Sequence, residues 1–297
     1  QNSGYGCPTY FECLLAIALL YFKQEGCEYQ VIEVGIGGRY DSTNIIPLPT
    51  VVAITNIGFD HTEILGKTLP KIAHDKAGII KTNCQFFTTE KRSRLLSIFK
   101  RICQQQGAFF HSVAASPQSA EETNYDLAKT IVQSLGHMTV APLINIRPLP
   151  ARFELVNQSP RVIIDVAHNP AKMQCTAVNL AAQEYRQCHL VIGLSVNKDI
   201  EAIVKEIAPY VDSICVTAFR NAYRSAADPG VVANRIGKYT RRGVKAVIIN
   251  YPVTAFRATL EKADKKDLVL VTGSFYLADN IRSLFIPEEE ILKNRIG

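Results

Sequence analysis

The sequence has no C-x-x-C pair, no run of about 20 apolar residues and no basic block longer than two residues. The longest apolar stretch, Phe11 to Phe22, is interrupted by Glu12 and is too short to span a membrane. The eight cysteines include several within apolar stretches, where a free thiol behaves as a small hydrophobe, so we expect a reduced, cytoplasmic setting. No signal peptide is visible, and because the first residue is Gln1 we expect a fragment or a processed product.

The charge is modest and dispersed. The net charge is +6, and the densest basic positions are pairs such as Lys91-Arg92 and Arg241-Arg242. This distribution is too diffuse to indicate a nucleic-acid partner, but it suits polyanionic small molecules such as nucleotides.

The 297 residues are enough for two domains. Thr9 and Glu12 predict a capping box that starts a helix ending near Gly26. Further on, apolar strands alternate with helices, which predicts parallel sheets of the doubly wound α/β type. The predicted strands are 29–34, 51–57, 109–113, 161–166, 188–194, 213–217, 244–249 and 267–272. Residues 141–150 hold three prolines and no periodicity, which predicts a linker between a first domain at 1–140 and a second at 151–297.

The first segment with chemical potential runs from Glu33 to Asn44 and reads E-V-G-I-G-G-R-Y-D-S-T-N. A predicted strand ends in a carboxylate and opens into glycines that permit close backbone approach to a phosphate or metal. Glu33 would be a hard oxygen ligand suited to Mg²⁺. The pattern is not a dinucleotide fingerprint, since the third glycine is out of place. The alternative is a plain glycine-rich turn.

Two segments follow the next predicted strand. Asp60 and His61 lie near the end of the segment T-N-I-G-F-D-H-T. A histidine can be satisfied within the core, but the acidic neighbour gives weight to a metal or phosphate role for His61. Lys76 follows on a predicted helix, before Gly78. The alternative for Lys76 is an ordinary surface lysine.

Three further segments belong to the second predicted domain. Arg152 lies in A-R-F-E and could reach a transferring phosphate with its guanidinium fork. Asp165 and His168 lie in D-V-A-H-N-P, a strand-to-helix turn that suits nucleotide or amino-acid contacts. The alternative, for Asn169 alone, is an Asx-type turn that caps the following helix. Ser274 lies in T-G-S-F-Y, where a helix start would favour a carboxylate, or Ser274 is a simple N-cap.

Together, these six segments resemble the folylpolyglutamate synthase/dihydrofolate synthase family of the Mur ligase superfamily. Their order and most of their spacings match from Thr9 to about Tyr276. The resemblance implies an incomplete Mur-ligase-type central ATPase domain followed by a Rossmann-like glutamate-ligase domain. It also implies a monomer whose partners are ATP, Mg²⁺, L-glutamate and a folate or dihydropteroate, with no nucleic acid and no membrane.

The resemblance assigns each residue a role. It implies that Glu33 and His61 each hold a Mg²⁺ ion, and that Lys76 is the lysine that becomes carbamylated. It implies that Arg152 and Asp165 contact ATP, and that His168 and Ser274 contact the incoming glutamate. Asn124, expected just before a helix, resembles an asparagine near the adenine, although its flanking residues match poorly.

One departure from the family is large. Its members carry a G-x-x-x-x-G-K-S/T loop upstream of these segments, and no such loop occurs here. We therefore expect this polypeptide alone to bind nucleotide poorly and to leave part of its core exposed. A non-catalytic binding or regulatory relative remains the alternative. Another type of Mur ligase, such as a cell-wall or cyanophycin enzyme, fits less well because G-G-R-Y-D-S-T-N is characteristic of the folate branch.

Overall fold

The computed structural model describes residues 6–114, 116, 120–137, 149–222, 224–241 and 243–287. The chain divides between residues 144 and 145 into two compact units, each with its own sheet. The expected linker at 141–150 lies outside the described residues except for its last two. No described helix has the length and apolarity needed to cross a bilayer.

Unit 1 is built on a short parallel sheet in the order β1-β2-β3. Its elements are α1 (Tyr10–Gln24), β1 (Val51–Ile54), α2 (Thr62–Leu65), α3 (Leu69–Lys76), β2 (Gln85–Thr88), α4 (Ser93–Gln106), β3 (Phe109–Ser112) and α5 (Ala120–Ser134). Leu95, Phe99 and Cys103 are buried at four-residue spacing, which gives α4 one apolar face. Phe99 packs edge-on against Phe86 of β2.

Helix α1 forms as predicted but contributes little to the described core. The capping box is present, with Thr9 accepting from the Glu12 N–H and Glu12 accepting from the Thr9 N–H. Leu15 is the one residue of α1 that is buried among the described residues. Its exposed apolar side chains are Tyr10, Phe11, Leu14, Ile17, Leu20 and Tyr21. Most apolar side chains of α1 are therefore not covered by other described residues.

The strand predicted at residues 29–34 is wrong. This segment has no regular structure, and Val31 is 93% exposed. It pairs with none of the described strands, and a strand forms only where its backbone N–H and C=O groups find a partner. Glu33 consequently lies on an exposed segment and not at the end of a buried strand.

Unit 2 contains a six-stranded sheet in the order β4-β5-β9-β6-β7-β8. Its elements are β4 (Glu154–Gln158), β5 (Arg161–Ile164), α6 (Pro170–Ala181), β6 (Cys188–Ile192), α7 (Ile200–Ile207), β7 (Ser213–Val216), α8 (Pro229–Gly237), β8 (Ala246–Ile248), α9 (Pro252–Leu260), β9 (Leu268–Thr272) and α10 (Phe275–Arg282).

The sheet of unit 2 has the predicted doubly wound arrangement. Helices α6, α7 and α8 pack in one apolar cluster, and α9 and α10 pack in a second, so both faces of the sheet are covered. Strands β6 and β9 are buried along their whole length, as their continuous apolar sequence predicts. The α/β fold class is confirmed. The antiparallel edge strand β4, like β2 of unit 1, was not predicted.

Each unit buries one carboxylate whose pKa is strongly lowered. Burial alone would raise the pKa of Glu90, but hydrogen bonds, led by those from Arg92, outweigh it and lower the pKa from 4.5 to about 2. Burial likewise opposes the hydrogen bonds, led by that from Arg186, which lower the pKa of Asp267 from 3.8 to about 2. Both groups therefore stabilise the folded chain in their ionised form.

The free energy of unfolding should fall as the pH drops from about 4.5 to about 2, because the unfolded chain takes up these protons first. Above that window the contribution of both carboxylates is fully present. Urea unfolding at a series of pH values measures the profile. Asp267→Asn should flatten it, whereas Glu184→Gln, at an exposed carboxylate, should leave it unchanged. A profile that stays level through the window would contradict the expectation.

Candidate functional site

The glycine-rich segment of unit 1 is held in shape by Asp41. Its carboxylate accepts hydrogen bonds from the Ile36 N–H at 2.9 Å, the Thr43 N–H at 3.0 Å and the Thr43 hydroxyl at 2.6 Å. Partial burial raises the pKa of Asp41, but the Thr43 hydroxyl and the backbone N–H groups outweigh it, so the pKa lies below its ordinary value. Asp41 thus fixes the turn as an ionised group.

Two glycines let this segment touch the end of α3. A Cβ added to Gly38 would lie 2.6 Å from the carbonyl oxygen of Lys76, and one added to Gly78 would lie 2.6 Å from the Cα of Arg39. The Arg39 N–H also donates to the Asp75 carbonyl at 3.0 Å. Only glycine permits this approach, which is between two segments of the chain itself; close approach to a phosphate or metal stays a prediction. The contact sets Lys76 beside the glycine-rich segment.

His61 lies beyond the carboxyl end of β1, as the sequence predicts. It has a left-handed backbone with φ 48° and precedes the first turn of α2. Its ring nitrogens lie 4.0 Å from Asp60 Oδ1 and 3.8 Å from Glu63 Oε1. A non-glycine residue in this conformation costs free energy, and such residues concentrate at functional sites.

The remaining predicted residues of unit 1 are exposed. Glu33 has no regular structure around it, and Asn124 lies inside α5 and not before a helix as expected. Among the described residues, no three metal-ligating side chains converge. A Mg²⁺ ion bound to ATP needs only one or two protein carboxylates together with water and phosphate oxygens, and Glu33 offers such a carboxylate, whereas the His61 ring offers nitrogen.

In unit 2, Arg152 lies between two residues in the left-handed region, Ala151 with φ 54° and Phe153 with φ 49°. The Ala151 N–H donates to Glu154 Oε2 at 2.7 Å, and Glu154 is paired with Arg282 at 2.7 Å. Neither Glu154 nor Arg282 was singled out from the sequence. Together they fix the start of the Arg152 turn against α10.

Asp165 joins the Arg152 turn to the turn that follows β5. Its carboxylate is buried and accepts from the Phe153 N–H at 2.9 Å, the Ala167 N–H at 2.8 Å and the Thr176 hydroxyl at 2.8 Å. The observed role of Asp165 is therefore to position the two turns that carry Arg152 and His168.

Three predicted positions come together around the ring of Phe275. The guanidinium of Arg152 lies 5.6 Å from the ring centroid, and the His168 ring lies 5.3 Å from it. His168 Nδ1 is 2.8 Å from the Val166 carbonyl, and because a carbonyl only accepts, that nitrogen carries the proton. The Lys172 ammonium lies 3.3 Å from Nε2. Phe275 directly follows Ser274.

Both predicted N-cap alternatives are present. The Ser274 hydroxyl accepts from the Leu277 N–H at 3.1 Å, and Asn169 Oδ1 accepts from the Lys172 N–H at 2.9 Å. Ser274 is 2% exposed. These caps order the starts of α10 and α6 at the carboxyl edge of the sheet, where ligands of doubly wound folds bind.

The same edge holds two buried hydroxyl groups, Thr217 Oγ1 and Thr272 Oγ1, with no hydrogen-bond partner among the described residues. Thr217 directly follows β7 and Thr272 ends β9, and β6 lies between these two strands in the sheet. Gly193, which directly follows β6, has its carbonyl oxygen 2.6 Å from where a Cβ on Gly273 would lie. Buried hydroxyls normally have a hydrogen-bond partner, so these two hydroxyls could bond to a ligand at this edge. Sequence reasoning missed Thr217, although it ends a predicted strand.

Gly38→Ala should destabilise unit 1 by about 1–3 kcal/mol, because the new methyl group meets the Lys76 carbonyl and not a movable side chain. Urea unfolding measures the change. Gly58→Ala is the matched control, since a Cβ there has no atom within 4 Å. Equal stability of the two variants would contradict the close approach.

Asp165→Asn should destabilise unit 2 by about 1–3 kcal/mol, because an amide directs an N–H group at donors that need an acceptor. Thr176→Val removes a single donor and should cost less. The comparison uses urea unfolding of both variants, and a larger loss in Thr176→Val would overturn the role given to Asp165.

Comparisons with known proteins agree with this arrangement. Residues 151–275 match the model of the Mur ligase, glutamate ligase domain. The dihydrofolate synthase/folylpolyglutamate synthase of Escherichia coli is 29% identical over 92% of this chain and 68% of its own length. The corresponding Bacillus subtilis protein is 27% identical over 95% of this chain and 73% of its own length.

Solved structures give the same result. An E. coli FolC structure in complex with ADP, without folate substrate, covers 99% of this chain and 74% of its own, with a TM-score of 0.83 and 26% identity. A bifunctional folylpolyglutamate synthase/dihydrofolate synthase with Mn, AMPPNP and L-glutamate bound covers 95% of this chain and 73% of its own, with a TM-score of 0.77 and 25% identity. Residues 151–275 therefore belong to the glutamate ligase domain family of the Mur ligases, and more than nine tenths of the chain is similar to dihydrofolate synthase/folylpolyglutamate synthases.

Proposed function

We propose that this protein joins L-glutamate to the carboxylate of a folate-type substrate in an ATP-dependent reaction with an acyl phosphate intermediate. The observation that carries the proposal is the cluster of Arg152, His168 and Phe275 at the carboxyl edge of unit 2, tied together by Asp165. This cluster lies within the segment that matches the glutamate ligase domain.

The proposed reaction has two steps. A substrate carboxylate oxygen attacks the γ-phosphorus of ATP, and the bond to the β-phosphate oxygen breaks to release ADP. The glutamate amine then attacks the acyl carbon, forming a tetrahedral intermediate. That intermediate expels phosphate as the amine loses its proton, which leaves an amide. Positioning and electrostatic stabilisation carry most of the catalysis in such phosphoryl transfers.

The two units have different roles in this reaction. Residues 151–297 form the glutamate-ligase domain, where Arg152 offers its cation to phosphate oxygens, and His168 and Ser274 bind the glutamate. Asp165 supports the nucleotide contact by ordering the Arg152 turn. The relatives' complexes with ADP, AMPPNP and L-glutamate support ligands of this kind.

Residues 1–140 form part of the ATP-binding domain in this proposal. Glu33 and His61 would hold Mg²⁺, and a carbamylated Lys76 would offer a carboxylate beside the glycine-rich segment. The metal supplies neutralisation of the charge that develops on the transferred phosphoryl group. Asn124 is proposed to lie near the adenine. The Mn complex of a relative supports a divalent metal of this kind.

The first test is turnover by the product of the complete gene. ATP hydrolysis should require both a folate-type substrate and L-glutamate. Lys76→Ala and His61→Ala should each lower turnover by at least about 10- to 100-fold, as expected when groups around a catalytic metal are removed. Coupled ADP release measures turnover, and thermal unfolding checks that each variant remains folded.

Lys67→Ala removes an exposed lysine from the turn before α3 and is the control. Near-normal turnover in Lys76→Ala or His61→Ala would exclude that residue from the metal and phosphate role. Glutamate binding without any turnover in the unsubstituted protein would favour a non-catalytic relative instead.

A further inference from the structure

The parallel pairing of β1 and β2 continues past the ends of both strands. The last paired residues are Ile54 and Thr88. Beyond them the Thr55 carbonyl accepts two hydrogen bonds, one from the Thr89 N–H at 3.2 Å and one from the Thr88 hydroxyl at 3.1 Å. Two residues later the backbone of Ile57 is bound by side chains in place of backbone groups.

Glu90 and Arg92 bind both polar groups of Ile57. Glu90 Oε2 accepts from the Ile57 N–H at 2.9 Å, and Arg92 Nη2 donates to the Ile57 carbonyl. The two side chains are also bonded to each other, through Arg92 Nε to Glu90 Oε1 at 2.8 Å and Arg92 Nη2 to Glu90 Oε2 at 2.6 Å. The ion pair thus offers an acceptor and a donor side by side, as the next peptide group of β2 would.

Burial and further hydrogen bonds fix the position of the Glu90–Arg92 ion pair. Glu90 is 3% exposed, and it also accepts from the Lys91 N–H at 3.0 Å and the Arg92 N–H at 2.9 Å. A buried carboxylate is tolerated only when its oxygens are fully bonded, so movement of this group would leave a buried charge without partners. The Arg92 side chain is 44% exposed, which lowers the cost of burying the pair.

Ile57 is the anchor of the segment that carries His61. Ile57 itself is 2% exposed, whereas Gly58 and Phe59 are exposed and a Cβ at Gly58 would meet no atom within 4 Å. After these two residues the chain reaches Asp60 and then His61 in its left-handed conformation. The position of His61 therefore depends on where Ile57 is held.

We propose that Glu90 and Arg92 are positioning residues for His61, acting through the backbone of Ile57. They do not contact substrate in this proposal; they extend the β1–β2 pairing to the start of the loop and set its direction. The effect on turnover rests on the proposed ligase function, but the effect on the loop does not.

Arg92→Lys tests the positioning directly. A lysine keeps the positive charge but lacks the planar fork, so it cannot bond both Glu90 oxygens and the Ile57 carbonyl together. Hydrogen exchange of the amides of residues 57–64 should accelerate by about 10-fold or more, the loss expected when a charge-assisted hydrogen bond is removed. Amides of β3 and of unit 2 should be unchanged.

Arg186→Lys is the matched control, because Arg186 pairs with the buried Asp267 in unit 2 at 3.0 Å. It should leave residues 57–64 unaffected. Glu90→Gln is the second variant, since it keeps one oxygen for the Ile57 N–H and should give an intermediate acceleration. Unchanged exchange at residues 57–64 in both Arg92→Lys and Glu90→Gln overturns the proposal, as does an equal acceleration throughout unit 1.

A second readout uses the product of the complete gene with Mn²⁺ as the metal. In Arg92→Lys the Mn²⁺ concentration for half-maximal turnover should rise by about 10-fold, the lower range for residues that orient metal ligands. The KM for L-glutamate should change by less than about 2-fold, because the proposed glutamate contacts are His168 and Ser274.

Faster exchange with an unchanged Mn²⁺ requirement would overturn the link to His61 while leaving the ligase function intact. A protein with no turnover would sink the proposed function, and the exchange result would still decide the positioning.

Discussion

Parallel strands lose their hydrogen-bond partners where they end, and three of the candidate residues, His61, Asp165 and His168, lie where that loss must be compensated. In unit 1 the compensation comes from Glu90 and Arg92, which bind the backbone of Ile57 beyond β1. In unit 2 it comes from Asp165, which accepts the Phe153 and Ala167 N–H groups beyond β5. A buried carboxylate satisfied by backbone donors makes a rigid junction between a strand and its loop.

Rigid junctions let the chain keep strained residues beside them. His61, Ala151 and Phe153 all have a positive φ, which L-residues adopt at a cost. The Phe153 N–H donates to Asp165, and the Ala151 N–H donates to Glu154. His61 lies four residues after Ile57, whose backbone Glu90 and Arg92 hold. In each case a buried or ion-paired carboxylate lies close in sequence or space to the strained residue. The same elements that complete the hydrogen bonding therefore also hold the unusual backbone.

The parts of this arrangement that depend on short sequence patterns were predictable. Continuous apolar runs gave β1, β5, β6, β7 and β9, and Thr9 with Glu12 gave the start of α1. The prediction of a strand at residues 29–34 is wrong because apolar residues alone do not supply the neighbouring strand that backbone pairing needs. Strand β2, with the sequence Q-F-F-T, has only two apolar residues, so no continuous apolar run marks it.

The residues that support the site were harder to predict than those that form it. Arg152, Asp165 and His168 stand in recognisable segments, and the structure places all three near one another. Glu90 and Arg92 look like ordinary charged residues before a helix, and their partner Ile57 is more than 30 positions away in sequence. Contacts over such separations are set by the sheet register, which no local pattern contains.

The two edges of the sheet in unit 2 place different demands on the sequence. At the amino edge, Asp267 is bonded to Arg186 and His189, and His189 is bonded in turn to Ser213, so every partner is supplied by the chain itself. At the carboxyl edge, Thr217 and Thr272 keep hydroxyls with no bond among the described residues. Natural variation should follow this division. Changes at the amino edge would be removed by selection because less folded protein accumulates. Changes that remove only the hydroxyl of Thr217 or Thr272 break no bond among the described residues and should leave the amount of folded protein unchanged.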